Sequence, residues 1–356
     1  MPTPSTGTYN IDTLLAARFT SAAEYGLDTI QRVLEADVAA HNAVVADMVS
    51  SLCEISADRQ RKYGTSTDGD MVEVDEFGAA PSQAPKTGAT VGFPLRLFQF
   101  NLGWTEKWLQ THTPADMAQA VLGAEKAHLR GIQREIKKAV YLSTNYTFND
   151  FLVDKVDLAV KRFVNADSAA IPNGPNGETF DGATHTHYDG AASLTAAALK
   201  ANINDVIEHG HGGAVKVAIS KTDETAVRAL SGFVAYQDPR LVVPVYSSTG
   251  IPGQTLDISR LDNRAIGIFE GAEVWVKSWA IANYTFAWDA DDPNKPLVYR
   301  QRSQAGLQGL RIAAVNSSFP LQAQFMEAEF GIGVWTRTNG AVLYFANATY
   351  ADPTIS

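Results

Sequence analysis

The sequence predicts an α+β fold, because helical patterns dominate its first part and strand patterns dominate its last part. Two long amphipathic helices are indicated before residue 143, and from Leu241 onward short strand-like runs follow one another. The 356 residues are 45% hydrophobic and 19% charged, which is an ordinary globular composition. The length allows one large domain or two to three smaller ones.

Charge and cysteine content exclude several classes of protein. Lysine plus arginine minus aspartate plus glutamate is 29 − 39, so the formal net charge is −10. An acidic chain without a dense basic cluster is a poor candidate for sequence-specific nucleic-acid binding. The single cysteine, Cys53, excludes an internal disulfide scaffold and cysteine-based metal clusters. We expect neither a membrane span nor a signal peptide, and no P-loop, GxGxxG, GxSxG or HExxH pattern is present.

The first predicted element is a long helix over residues 21–57, preceded by a small, polar arm over residues 1–10. Ser21 and Glu24 have the spacing of a capping box. Apolar side chains then recur every three or four residues, with a histidine at one position of the stripe. The stripe consists of Ile30, Leu34, Val38, His41, Val45, Met48, Leu52 and Ile55. Such a helix must pack on its own core or on a neighbouring subunit.

A long two-stranded hairpin is predicted next, over residues 65–100. Residues 71–77 and 91–100 alternate apolar and polar side chains, and Gly, Pro, Ala and Thr between them form a wide tip. Pro94 cannot donate to a strand ladder, so the second strand is expected at a sheet edge. An isolated ribbon is marginal in water, and it therefore needs a surface on its own domain or on another chain.

The clearest helix begins after Thr113. This residue is a good N-cap, Pro114 takes the first helical position, and Asp116 complements the helix dipole. The pattern extends to Leu142, about 28 residues or about 42 Å. Its apolar stripe is Leu122, Leu129, Ile132, Ile136 and Val140, and a separate basic face carries Lys126, Arg130, Arg134 and Lys137.

The second half of the chain mixes helices with many strands. Residues 150–164 are predicted as a short helix and residues 173–190 as a loop. Helix 194–209, strand 214–220 and helix 220–230 follow. The strand-like runs after them are residues 241–247, 265–271, 272–288, 297–302, 310–315, 325–338 and 340–350.

The strongest local chemical signal is a histidine motif. His185, His187 and Asp189 have a spacing that resembles the zinc-ligand motif of metallo-β-lactamase-type hydrolases, because imidazole and carboxylate groups suit zinc. His209 and His211 could add two more ligands. Gly190 stands where that family has a further histidine, and no apolar strand precedes the motif. The alternative interpretation is two histidines in a polar loop and a second pair at a helix end.

Three charged groups have weaker interpretations. The carboxylates of Glu73, Asp75 and Glu76 on the first hairpin strand suit Ca²⁺, a solvated strand face or an ion-pair partner on another chain. Residues 289–294 resemble a calcium loop in composition only. The basic face of the second long helix fits contact with phosphates or plain solvation.

The order of elements resembles the major capsid proteins of tailed bacteriophages, whose fold is shared with encapsulins and herpesvirus capsid floors. The resemblance covers residues 61–352. It rests on residues 71–77 and 91–100 as the extended E-loop and on residues 114–142 as the spine helix. Residues 194–230 resemble the start of the axial domain, and residues 330–353 resemble the last strands of the peripheral domain.

The resemblance implies a structural role without catalytic, cofactor or metal residues. Copies would form the hexamers and pentamers of an icosahedral shell around double-stranded DNA, with portal, scaffold or decoration proteins as partners, in the virion and, during assembly, in the host cytoplasm. The implied regions are an N-terminal arm with a long helix (1–60), the E-loop hairpin (61–113), the peripheral domain with its spine helix (114–189), the axial domain (190–285) and the closing peripheral strands (286–356). The expected intersubunit contacts are Glu73, Asp75, Glu76, Phe93, Arg96 and Phe98. The alternatives are a zinc-dependent hydrolase and an encapsulin-type compartment with protein cargo.

Overall fold

A computed structural model describes residues 19–63, 71–82, 89–236 and 263–355. Its α-helices are α1 (Ala22–Tyr25), α2 (Leu27–Ser50), α3 (Glu106–Thr111), α4 (Pro114–Tyr141), α5 (Ala196–Ile207) and α6 (Glu224–Arg228). Its first strands are β1 (Cys53–Ser56), β2 (Gln60–Tyr63), β3 (Ala89–Gly92), β4 (Arg96–Thr105), β5 (Tyr146–Asn149), β6 (Asp157–Val160), β7 (Tyr188–Gly190) and β8 (Val215–Ile219). The later strands are β9 (Phe233–Ala235), β10 (Asn263–Phe269), β11 (Ala272–Lys277), β12 (Tyr284–Asp289), β13 (Leu297–Gln301), β14 (Leu310–Ser318), β15 (Leu321–Val334) and β16 (Ala341–Tyr344). This content confirms the α+β prediction.

Two sheets organise the described residues. In the first, β15 is the central strand: it pairs with β13, β14 and β4, and β1 joins in parallel on β13. The second has the order β7-β16-β12-β8-β11-β10-β9. The largest core lies between the first sheet, α2 and α4, and extends onto β12 and β16. A second core joins α5 to β8, β10 and β11. Two short ribbons, β2–β3 and β5–β6, complete the strand pairing.

The first long helix packs on its own subunit and is shorter than predicted. Ser21 caps α1 by accepting the backbone N–H of Glu24, and Gly26 at φ +99° separates α1 from α2. Ile30, Leu34 and Val38 are buried as the stripe predicts. The helix ends at Ser50, and β1 follows on residues that the stripe had assigned to helix. The reason is tertiary: a parallel ladder with β13 satisfies the backbone of β1.

Within the part of the hairpin that the structure describes, pairing occurs only at its base. Strand β2 pairs with β3 over four residues, and residues 71–77 form no strand. The second predicted strand is interrupted at Pro94, so β3 and β4 are separate strands in different sheets. Among the described residues β4 pairs only with β15, which agrees with the predicted edge position. A segment without a ladder partner keeps its backbone in solvent. The alternation of apolar and polar residues was therefore not sufficient to predict a strand over residues 71–77.

The spine helix is confirmed with nearly its predicted bounds. Thr113 and Asp116 form a reciprocal capping box at the start of α4, and the helix contains 28 residues. Its buried face is partly displaced from the predicted stripe. Ile132, Ile136 and Val140 are buried, but in the first half Val121, Ala124 and His128 replace the leucines of the stripe. This face contacts β15 and α2.

Two other predictions are corrected. Residues 150–164 form a turn and a strand rather than a helix, because the backbone of β6 pairs with β5 and Lys155 takes a left-handed φ of +61° at the turn. The run 272–288 is two strands, β11 and β12, separated by a turn with Asn283 at φ +67°. The helices predicted over 194–209 and 220–230 are present as α5 and as a short 3₁₀ turn followed by α6. The predicted run 241–247 lies outside the described residues.

Candidate assembly interface

The clearest candidate interface is the segment of residues 71–82, here called the exposed loop. Every residue in it is exposed, and the side chains of Met71 and Phe77 are 102% and 91% exposed. Asp75 organises a local turn: its carboxylate accepts the N–H of Phe77, and its carbonyl oxygen accepts the N–H of Gly78. Two large apolar side chains without internal packing are expected to bind a partner surface.

Glu73, Asp75 and Glu76 all lie in the exposed loop, as the prediction of an intersubunit contact requires. Their carboxylates have no ion pair among the described residues, so they are available to cations on another chain. The loop has no strand ladder, so the contact depends on side chains and on free backbone groups. The prediction of contact at these three residues stays a prediction.

The other three predicted contact residues lie against their own subunit. Phe93 is fully buried in a small core with Tyr63, Val91 and Val298. Arg96 reaches the buried carboxylate of Glu135 at 3.4 Å. The Phe93 core joins the base of the hairpin to β13, and the Arg96 contact joins β4 to α4.

Phe98 is half-buried. Its ring stacks on Phe330 with a centroid separation of 4.6 Å. It lines, with Arg134 and Gln99, a cavity of about 370 Å³ between α4 and β4. Phe98 thus keeps only part of its surface for a neighbouring subunit.

A second apolar feature was not anticipated from the sequence. Strands β14 and β15 form a hairpin that extends beyond the predicted strand runs, and its tip carries Phe319 at 86% exposure. Val315 and Leu321 near the tip are also largely exposed. The only sequence signal was the Ser-Ser-Phe-Pro segment between two strand patterns, which is typical of a turn. The tip presents apolar surface that a folded monomer does not use.

A third feature is the outer edge of the second sheet. Strand β9 pairs only with β10 among the described residues, so it is the last strand of this sheet as far as the structure describes it. Val234 and Tyr236 beside it are 65% and 44% exposed. Open strand edges with apolar side chains are natural sites for contact with another chain.

The cations on the basic face of α4 differ in exposure between the first and the second half of that face. Lys126 and Arg130 are exposed. Arg134 is half-buried, with its guanidinium 6.0 Å from the ring centroid of Phe98. Lys137 is half-buried on the same face. The face is thus solvated only over its first half.

The two histidines of the motif lie in a cluster, but part of the cluster differs from the predicted ligand set. The side chains of His185 and His187 converge with His209 and Glu208. The carboxyl of Asp189 instead lies beside Asp205 and contributes, after burial, to the raised pKa of that group, and His211 bonds to Asp292 and Thr338. The proposed His185–His187–Asp189 ligand set is therefore corrected.

Two further sequence signals have structural roles. The carboxylate of Asp289 accepts the backbone N–H groups of Gly213 and Ala214, and so it fixes the entry to β8 rather than forming a calcium loop. Cys53 is buried in β1, and burial raises the pKa of its thiol. A thiol in that environment is a packing group.

Comparisons with known proteins identify the fold. No protein-family model and no curated protein matches the sequence. A chain from Mycobacterium phage Patience is similar with a TM-score of 0.67 and 18% identity, over 99% of this chain and 97% of that chain. A capsid chain of a native GTA particle has a TM-score of 0.49 and 12% identity, over 84% and 89% of the chains.

The SrpI encapsulin of Synechococcus elongatus has a TM-score of 0.40 and 11% identity, over 88% of this chain and 90% of that chain. The likeness to the phage Patience chain extends over nearly all of both chains and shows the fold. This likeness agrees with the long spine helix, the exposed loop and the two sheets described above. The chain has the fold of the phage Patience chain, which agrees with the fold that the resemblance of its sequence to phage capsid proteins implies.

Proposed function

We propose that the chain is the major capsid protein of a tailed phage, and that its copies form the pentamers and hexamers of an icosahedral shell around double-stranded DNA. The observation that carries the proposal is the likeness to a phage chain over 99% of the sequence. Such coverage leaves almost no part of the chain for an added domain. The role is structural, and the shell proposed here needs no catalytic residue.

The exposed apolar features supply the contacts of such a shell. The exposed loop, the tip of the β14–β15 hairpin and the β9 edge belong to three different segments of the chain. Separate patches on one subunit suit a closed assembly, in which each copy touches several neighbours. Burying one large apolar side chain contributes about 1.5–3 kcal/mol, so each contact is modest and repetition supplies the stability.

Charge agrees with DNA as the content. The net charge of −10 gives the shell an acidic character that does not trap a polyanion. Lys126 and Arg130 are positively charged and exposed, unlike the chain as a whole, which is acidic. Two cations per subunit would give weak, sequence-independent contact with phosphates. Among the described residues, no helix combines the length and apolarity that crossing a membrane requires.

The regional roles follow the same proposal. Residues 61–113 would include the E-loop, 114–189 and 286–356 the peripheral domain, and 190–285 the axial domain around the five- and six-fold axes. Residues 1–60 add α2, which packs on the spine helix of the same subunit. The proposed partners are further copies, a portal protein and scaffold or decoration proteins, and the proposed location is the virion after assembly in the host cytoplasm.

The proposal is tested by sedimentation of the wild-type chain and of the double variant Met71→Ser/Phe77→Ser. Wild-type protein should form rings of five or six copies or megadalton shells. The variant should need a concentration at least about a hundredfold higher, because two interface side chains at about 1.5–3 kcal/mol each are lost. Its free energy of unfolding should be unchanged, because both side chains are exposed in the subunit.

The proposal is contradicted by a wild-type chain that remains monomeric at high concentration, also in the presence of the phage scaffold protein. A shell that forms equally well without the two side chains would leave the capsid role standing and would exclude the exposed loop as a contact. Nuclease-protected DNA in shells from infected cells supports the phage role, and a specific protein cargo in its place supports the encapsulin alternative.

A further inference from the structure

The cluster of His185, His187, His209 and Glu208, here called the histidine cluster, has an arrangement that the capsid role does not explain. The three Nε2 atoms form a triangle with sides of 3.0, 3.1 and 3.3 Å. The Glu208 Oε1 atom lies 3.1 Å from the His185 Nε2 atom and 3.6 Å from the His209 Nε2 atom. Four potential ligand atoms thus surround one point.

Hydrogen bonding alone cannot satisfy this triangle. A neutral imidazole offers either an N–H or a lone pair at Nε2, and one proton serves one acceptor. Three mutually close Nε2 atoms therefore always leave at least one side without a proton between the atoms. His187 is fixed as a lone-pair donor toward the cluster, because its Nδ1–H donates to the carbonyl oxygen of Gly340 at 2.8 Å.

The same geometry fits a metal ion. Four ligands about 2.05 Å from a tetrahedral centre lie about 3.3 Å apart, close to the separations of the Nε2 atoms and of Oε1 from His185. The Nδ1–H bond of His187 to Gly340 is the outer-sphere contact that orients a ligating imidazole. We propose that the histidine cluster binds one Zn²⁺ ion through three imidazole nitrogens and one carboxylate oxygen.

The choice of metal follows from the ligands. Imidazole nitrogen is a poor ligand for Ca²⁺ and Mg²⁺, which prefer oxygen, and no thiolate is present to select a softer ion. A tetrahedral set of three histidines and a carboxylate suits Zn²⁺, and Co²⁺ is its spectroscopic substitute. Four protein ligands close the coordination sphere, so the ion is structural, without the open position that a hydrolase needs.

The surroundings agree with a built site. His187 is fully buried and the His209 side chain is 2% exposed, whereas Glu208 is 36% exposed and provides the entry from solvent. The ring of Phe180 covers the histidines, with centroids 4.2 Å from His209 and 4.9 Å from His185. The carboxyl group of Asp189 lies near His185 and Glu208 but is not one of the four clustered ligand groups.

The ligands come from two segments of the chain, residues 185–187 and the end of α5. Asp181 starts a turn that holds His185, because its carbonyl oxygen accepts the His185 N–H at 2.8 Å. Glu208 and His209 directly follow α5, which ends at Ile207. Gly210 comes next and takes a φ of +85°. The ion would tie residues 181–187 to the end of α5 and, through His187, to the start of β16. Its effect is therefore expected on the stability of this region.

The test uses the full chain, stripped of metal by a chelator and titrated with Zn²⁺ and separately with Co²⁺. We expect one ion per chain and, with Co²⁺, the intense visible bands of tetrahedral coordination without a thiolate band. His185→Asn and Glu208→Gln should weaken Zn²⁺ binding by about a hundredfold or more. Zn²⁺ should raise the melting temperature of the wild type but not that of these variants.

The control variants are His211→Asn and Asp189→Asn, which change neighbouring residues outside the proposed ligand set. Both should retain one ion per chain, and near-ultraviolet circular dichroism verifies the fold of every variant. The proposal is overturned if the wild type binds no ion at micromolar Zn²⁺. It is equally overturned if the ligand variants bind as tightly as the wild type, or if Asp189→Asn loses the ion and so restores the sequence-predicted ligand set. None of these outcomes bears on shell formation.

Discussion

Arg300 and Asp150 form an ion pair whose side chains are 3% and 0% exposed. The guanidinium donates two hydrogen bonds to the carboxylate and a third to the carbonyl oxygen of Phe93. The pair thereby connects β13, the β5–β6 turn and the base of the hairpin. Buried pairs of this kind are costly to break, because one partner is left as an uncompensated charge.

Replacing Asp150 by Ala should lower the free energy of unfolding by about 3–5 kcal/mol, because Arg300 would remain buried without its counterion. Chemical denaturation measures the effect. The matched control is Arg59→Gln, which removes an exposed ion pair with Asp154 and should cost at most about 1 kcal/mol. Equal losses in the two variants would show that burial does not determine the contribution of these pairs.

A second set of buried titratable side chains lies between α2 and α4. Burial and the nearby carboxyl of Asp37 raise the pKa of Glu125 to about 7. His41 is 4.0 Å from its carboxylate and 3.0 Å from the Nδ1 atom of His128. Burial and the neighbouring His41 lower the pKa of His128 to about 4.

This group predicts a pH dependence of stability. Between about pH 5 and pH 7 the folded chain retains a proton on Glu125 that the unfolded chain releases, so stability falls as pH rises through this range. Glu125→Gln abolishes this loss. The variant should therefore gain on the wild type by about 1–3 kcal/mol between pH 5 and pH 8.

Denaturation of both proteins at several pH values measures the difference. Protonation of the two histidines at lower pH is common to both proteins and cancels in it. The exposed Glu73→Gln is the control, and its difference from the wild type should not vary with pH. A Glu125→Gln difference that is equally constant would contradict the raised pKa.

At the scale of elements, one glycine in a strand and one in a helix should respond to substitution by alanine with opposite changes in stability. A Cβ atom on Gly331 in β15 would lie 2.1 Å from the carbonyl oxygen of Pro94, where strand and hairpin base approach closely. A Cβ atom on Gly123 in α4 would meet no neighbouring atom within 4 Å. Gly331→Ala should destabilise the subunit by several kcal/mol. Gly123→Ala should stabilise it by about 0.5–1 kcal/mol, because alanine is the better helix former.

Thermal unfolding of the two single variants and the wild type checks both signs in one experiment. The close approach at Pro94 is contradicted if Gly331→Ala melts at the wild-type temperature. The regular, unstrained helix at Gly123 is contradicted if its alanine variant melts lower than the wild type.

Elements with strong local signals could be predicted from the sequence. The N-cap Thr113, Pro114 after it and the helical periodicity predicted α4 with nearly its observed bounds, and Gly210 lies just beyond the end of α5 as expected. Errors arose where pairing between distant segments decides the structure. Residues 53–56 are a strand because β13 lies beside them, and residues 71–77 are not a strand because no described strand does.

The histidine cluster shows the same limit at a site. The spacing of His185 and His187 predicted metal ligands together with Asp189, and His209 was a further candidate. The structure brings Glu208, which the sequence did not indicate, rather than Asp189 to within 4.8 Å of the histidine nitrogens. Local spacing does not reveal which residues the end of α5 brings to the loop. The apolar tip at Phe319 was missed for a similar reason, since a strand pattern does not show how far a hairpin projects.

For the whole molecule, the unburied apolar surface is the property that links fold to assembly. A folded subunit leaves Met71, Phe77 and Phe319 almost completely in solvent, although its cores are well packed. In a monomer these side chains have no stabilising role, whereas in a shell each would be buried once per copy. The proposed function therefore depends on contacts that no single chain can make.

The hairpin tip gives a prediction at this scale. Phe319→Ser should leave the unfolding transition unchanged, because the side chain is 86% exposed. It should shift the assembled fraction toward free capsomers, since a buried phenylalanine contributes about 1.5–3 kcal/mol per contact. Light scattering against protein concentration measures this shift. Unaltered assembly would remove the tip from the set of contacts.

The most direct test of the central claim is electron cryomicroscopy of the particles that the purified chain forms, alone or with its scaffold. The account predicts a closed icosahedral shell of pentamers and hexamers, in which residues 71–82 of each subunit lie on an adjacent subunit. A small discrete oligomer that persists with scaffold present, or a shell in which this loop faces solvent, would contradict it.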